Sequence, residues 1–148
     1  MAKPLLMPRP GVHRARTTEP VGTFRLRIAP SPQAPSEARR AVDDLVGDSV
    51  DPRFAFYLRL VASELVKNAL LHGSSSEPIV VKARLDEGRV DLQVEDHGGR
   101  LTLKRLRRRR RDGGRGLDIV DALVDAWTIE SGLPGTRISV RMSTQPTA

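Results

Sequence analysis

Glu64-Leu65-Val66-Lys67-Asn68-Ala69-Leu70-Leu71-His72-Gly73 is the stretch on which the reading of this 148-residue chain turns. It closes a longer helical segment that begins near Phe54. Glu64, Asn68 and His72 recur every four residues, so on a 3.6-residue helix they form one slowly drifting polar stripe. Phe54, Leu58, Val61 and Leu65 form an apolar stripe beside it, as a core-facing helix requires. The polar stripe therefore runs along the edge of the core. A carboxylate, a carboxamide and an imidazole in that row could hold a hydrated divalent cation and a proton acceptor near one reacting phosphate, because Mg²⁺ takes oxygen ligands and keeps several waters. Read alone, the pattern also fits a solvated helix edge.

Composition narrows the setting. With 39% hydrophobic residues and only five Phe, Trp or Tyr, the chain can bury one aliphatic core and not two. No run approaches the roughly 20 apolar residues of a membrane span, and Leu5-Leu6-Met7 is too short for a signal peptide, so a soluble, cytoplasmic protein with no membrane attachment is expected. Cysteine is absent, which excludes disulfides and thiolate chemistry, and His13, His72 and His97 lack metal-ligand spacing. The net charge of +7 first suggests nucleic acid. Lys104, Arg105 and Arg107 to Arg111 are seven cations with no acid among them, equal to the whole excess, so the basicity belongs to one loop and not to a face.

Residues 1–22 carry four prolines and no periodicity, and are expected to be a disordered arm ahead of a single domain at 23–143. Phe24-Arg25-Leu26-Arg27-Ile28 alternates strictly and reads as a half-buried strand ended by Pro30-Ser31-Pro32. Ala38, Ala41, Val42, Leu45 and Val46 have helical spacing, with Gly47 as the stop. Asp51-Pro52 starts the central helix and Gly73 is placed to end it. Ile79 to Leu85 and Val90 to Val94 flank the turn Asp86-Glu87-Gly88-Arg89, an antiparallel hairpin that carries Asp96 to the end of a central strand. After the arginine-rich residues 100–112, where one short helix could also form, Leu117, Val120, Leu123 and Val124 share a helix face. Trp127 to Glu130 and Ile138 to Met142 make a second hairpin. The order predicts an α+β fold: a two-layer sandwich of a mostly antiparallel sheet with helices on one face, the other face solvated or used by a partner.

Two glycine-rich segments flank the arginine loop. In Asp96-His97-Gly98-Gly99 a strand-end carboxylate could accept from an exocyclic amino group while glycines let backbone approach a flat base. In Gly113-Gly114-Arg115-Gly116-Leu117 a glycine loop runs into a helix N-terminus, which suits phosphate oxygens. Each segment alone also fits an ordinary turn or loop.

In this order the motifs resemble the ATPase/kinase superfamily shared by DNA gyrase, sensor histidine kinases and mismatch-repair proteins. Within it, the chain is most similar to the small stand-alone anti-sigma-factor serine/threonine kinases. The resemblance spans about residues 24–142. Glu64 to His72 looks like the N box, Asp96 to Gly98 like the first glycine box, Gly113 to Leu117 like the second, and Gly135-Thr136 like the Gly-Thr before the last strand. The resemblance implies a histidine-kinase-like ATPase fold that binds ATP. It makes Asn68 the holder of the Mg²⁺ on the phosphates and Glu64 the general base toward an acceptor hydroxyl. Asp96 with Gly98 and Thr136 would read adenine, and Gly114, Arg115, Gly116 and Leu117 would form the phosphate-side loop. The partners it implies are a sigma factor, an anti-sigma antagonist, or both. Three departures stand out: Arg100 replaces the family's next glycine, the family's ATP-lid loop is here rich in arginine, and Lys67 falls inside the N box, where it could neutralise phosphate charge or point to solvent.

Other functions remain compatible with the residues. A binding module could keep the fold and perform no chemistry. A nucleic-acid binder could use the arginine run, although Trp127, Tyr57 and three Phe offer no stacking platform interleaved with it. A sensor histidine kinase fragment would carry an upstream dimerisation helix pair with a phosphoacceptor His, and only the arm lies upstream here. The residues leave a homodimer open.

Overall fold

The computed structural model describes residues 22–74, 76–98, 116–132 and 135–144. The expectations for residues 1–21 of the N-terminal arm, the arginine loop and Gly114 and Arg115 lie outside these residues, whereas Gly22, expected to end the arm, is the first residue of a strand. The chain runs β1 (Gly22–Ile28), α1 (Ala34–Val46), α2 (Pro52–His72), β2 (Ile79–Asp86), β3 (Arg89–Asp96), α3 (Gly116–Leu123), β4 (Ala126–Ser131) and β5 (Thr136–Ser143).

Local chemistry sets the element ends. Asp51 Oδ1 accepts the Arg53 N–H at 2.7 Å and Pro52 sits in the first turn, where its missing N–H costs nothing, so α2 is capped and started by two adjacent residues. Gly47, at φ 49°, ends α1 by donating its N–H to the Asp43 carbonyl at 2.8 Å. Gly73 also ends its helix, donating to the Ala69 carbonyl at 2.7 Å, but in an extended conformation with φ −82°. The glycine is needed there for space: a Cβ would meet the Ala69 carbonyl at 2.6 Å and the Asp96 Cβ at 3.0 Å.

The β2–β3 turn places Glu87 at φ 38° and Gly88 at φ 79° between the paired residues Asp86 and Arg89, a two-residue loop with both central residues left-handed. That geometry matches the twist of the strands and fixes the register that aims Asp96 at the core. Replacing Gly88 by Val is therefore expected to destabilise the fold by about 1–2 kcal/mol, because a β-branched residue is strained at positive φ. Urea unfolding would measure the loss, and an unchanged midpoint would disprove the strain.

Among the described residues the five strands are all antiparallel in the order β1-β2-β3-β5-β4, so β5 inserts between β3 and β4. Alternation gives one inner row per strand: Ile79, Val81, Ala83 and Leu85; Val90, Leu92, Val94 and Asp96; Thr136, Ile138, Val140 and Met142. The apolar members of these rows pack with Val42 and Val46 of α1 and Leu58, Val61, Leu65 and Val66 of α2 into one aliphatic core. Leu117 of α3 packs with Trp127 and Ile129, and the Trp127 indole N–H donates to Asp121 Oδ1 at 3.0 Å. This cluster seats α3 beside β4. The outer sheet face is charged, with Glu95 near Lys82 (3.4 Å) and Arg137 (3.1 Å), Arg137 also near Glu130 (3.0 Å), and Arg141 on Asp91 at 2.9 Å. The two-layer α+β architecture is the one expected from the residue pattern.

Candidate active site

Two clusters lie near the C-terminal half of α2, and the end of that helix touches the second of them. The first is built on the polar stripe. Glu64 and Asn68 sit one turn apart on α2, both half-buried at the edge of the core formed by Leu65, Val66 and Ala69. The Glu64 side chain is 14% exposed, and its Oε2 lies 3.3 Å from the Lys67 ammonium. Its Oε1 faces the first residue of α3, where a Cβ on Gly116 would come within 2.5 Å. Only glycine lets the carboxylate reach that helix N-terminus, whose unpaired N–H groups and dipole favour an anion.

The second cluster forms where two central strands meet. Asp96 ends β3 and Thr136 begins β5, and the two are register partners, 6% and 3% exposed. Asp96 Oδ1 accepts the Gly98 N–H at 2.9 Å, and the Ser131 and Thr136 hydroxyls lie 3.3 Å apart. Burial pushes the Asp96 carboxyl above its ordinary value, opposed by the Gly98 and Thr136 N–H groups and by His97. A carboxyl kept in a place that penalises its charge, at a pocket also lined by His97, Gly135, Thr136 and Arg137, has the marks of a binding group. It can still accept, since a carboxylate has about four lone-pair sites.

Backbone contact joins the two clusters. A Cβ at Gly98 would collide with the His72 carbonyl and the Gly73 backbone, so the Asp96-His97-Gly98 turn lies directly on the end of α2. A Cβ at Gly135 would collide with the Asp96 carbonyl and His97 Cα.

Of the nine residues singled out in the sequence, Glu64, Asn68, Gly116 and Leu117 fall at the helix cluster, and Asp96, Gly98 and Thr136 at the strand cluster. Leu117 is 7% exposed and points into its apolar cluster, which leaves only its backbone for a ligand. Gly114 and Arg115 lie outside the described residues. Sequence reading missed Arg137, whose guanidinium bridges Glu95 and Glu130 at the pocket rim. It also missed His97, whose Nδ1 is buried with no hydrogen-bond partner among the described residues. No local signal marks Arg137, because its neighbours come from a strand pairing that spans the loop.

Among the described residues no three His, Cys, Asp or Glu gather into an all-protein metal cage. One carboxamide with a carboxylate a turn away could hold only a cation that keeps most of its own waters. No described helix is long and apolar enough to cross a membrane.

A comparison with curated proteins yields no significant sequence match. Among solved structures the chain is similar to the SiaB–SiaC complex of Pseudomonas aeruginosa, at 14% identity and a TM-score of 0.59, over 96% of this chain and 99% of that one. It is also similar to the histidine kinase domain of a blue-light activated histidine kinase from Erythrobacter litoralis, at 23% identity and a TM-score of 0.53, over 75% of this chain and 59% of that one. At such identities the likeness speaks for the fold. The model of the histidine kinase-like ATPase domain matches residues 14–143, and the chain belongs to that family.

Proposed function

We propose that this domain binds Mg-ATP and transfers the γ-phosphoryl group to a serine or threonine of a small anti-sigma antagonist, and that it also holds a sigma factor. The observation that carries the reading is Glu64 beside Asn68, with its carboxylate at the α3 N-terminus, and Asp96 buried where its turn meets the end of the same helix. In the reaction the acceptor hydroxyl oxygen bonds to the γ-phosphorus, the bond to the β-bridging oxygen breaks to release ADP, and the hydroxyl proton passes to Glu64. Asn68 would hold the Mg²⁺, which when bound neutralises phosphate charge. Asp96 would accept from the adenine amino group, with Thr136 beside it. The α3 N-terminus at Gly116 would receive phosphate oxygens. A solved complex of similar fold, SiaB with SiaC, supports a protein as the partner.

Thermal unfolding with and without Mg-ATP tests the site. At 100 times its Kd the nucleotide should stabilise wild type by about 2.7 kcal/mol, and Asn68→Ala should remove that gain. Equal ATP-dependent stabilisation of both proteins would overturn the assignment of Asn68.

Asp96→Asn separates stability from recognition. The raised carboxyl makes the folded state lose stability as pH climbs from the ordinary carboxylate range through the folded value, so at pH 7 the ionised group is a burden on the fold. The asparagine variant should melt no lower than wild type at pH 7, yet lose its preference for ATP over GTP, because a carboxamide can donate to a carbonyl as well as accept. Wild-type protein that binds ATP and GTP alike would remove the adenine role.

A further inference from the structure

Lys67 lies between Glu64 and Asn68 on α2 and has no role in the reading above. Its side chain is 55% exposed, yet its ammonium is held 3.3 Å from Glu64 Oε2. With Oε1 turned toward Gly116, the Glu64 carboxylate is wedged between a cation and a helix N-terminus, the two local features that attract anions. A phosphate brought between them meets both already occupied by a carboxylate. An exposed pair three residues apart on a helix is weak and exchanges readily. A four-carbon stem lets the ammonium swing away while its Cα stays in the helix.

We propose that Lys67 is a positioning and specificity residue that reads the terminal phosphate. Its ammonium rests on Glu64 without nucleotide and transfers to the γ-phosphate of ATP. The inference rests on the kinase reading and assigns Lys67 two linked effects. ADP lacks the group that draws the ammonium away, so the site distinguishes ATP from ADP. The same transfer frees Glu64 Oε2 to accept the acceptor's proton, so the base is exposed only when there is a phosphoryl group to move.

Isothermal titration of wild type, Lys67→Met and Lys67→Arg with Mg-ATP and Mg-ADP tests this. Wild type should favour ATP. Lys67→Met should lose about ten- to a hundredfold in ATP affinity, the range of one charge-assisted hydrogen bond, with ADP affinity within about twofold of wild type. Lys67→Arg should recover most of the preference, because it keeps a cation in reach. Unfolding curves would confirm that all three fold alike, and the ATP/ADP ratio is a readout that a merely solvated ion pair would not move. The same ratio in wild type and Lys67→Met would overturn the proposal while leaving the nucleotide site intact. A wild type that binds neither nucleotide would overturn the ATPase reading and this proposal with it.

Discussion

Glu64→Gln is expected to lower phosphoryl transfer by about 10²–10⁴-fold, the usual contribution of a positioned general base, while the protein still binds Mg-ATP. The glutamine has nearly the same shape, so it can keep its place against Gly116 and leave α2 and α3 packed as they are. It cannot take a proton at neutral pH. Removing one negative charge beside the phosphates should, if anything, tighten nucleotide binding, so rate and affinity move in opposite directions. A quench assay for ADP formation beside a fluorescent-nucleotide titration reads both. Undiminished turnover would show that Glu64 is not the base. A wild type that binds ATP and the partner without any transfer would instead favour the binding-module function.

Gly135→Ala is expected to have the largest effect on structure. The added methyl would collide with the Asp96 carbonyl and with His97 Cα, and backbone cannot rotate away as a side-chain tip can. The cost should reach the upper end of the roughly 1–3 kcal/mol that overpacking brings. It should fall on the register between Asp96 and Thr136, so nucleotide stabilisation should vanish along with the lost stability. Gly132→Ala serves as the control, since nothing lies within 4 Å of a Cβ there and the variant should melt like wild type. If Gly135→Ala retains full nucleotide binding, the close approach of the two strands is not what shapes the pocket.

The elements themselves were readable because each is written locally. Period-four polar residues beside a period-matched apolar stripe mark α2, and Glu87-Gly88 between two alternating runs marks the tight hairpin. The site residues were readable only in part. The candidates Glu64 and Asn68 come from helical spacing and Asp96 from its place at a strand end, helped by likeness to known motifs. Arg137 at the rim was not, since it meets Glu95 only once β5 has paired with β3. The role of Gly73 was half readable: a glycine after a helix suggests a left-handed cap, whereas here it is extended and small to admit Asp96. The engagement of Lys67 with Glu64 depends on a rotamer, which no period in the sequence specifies.

The insertion of β5 between β3 and β4 bears on how this protein is made. Asp96 and Thr136 are neighbours in the sheet but forty positions apart in the chain, and β4 has no place on β3 until β5 arrives to carry it. A nascent chain that has emerged only as far as Asp96 has the first hairpin and both long helices, yet it has an incomplete sheet with β3 as a bare edge. Closing so distant a pair is slow compared with forming a hairpin or a helix. The Asp96–Thr136 end of the sheet is thus assembled late, after synthesis has passed Thr136, and until then β3 presents an unpaired edge.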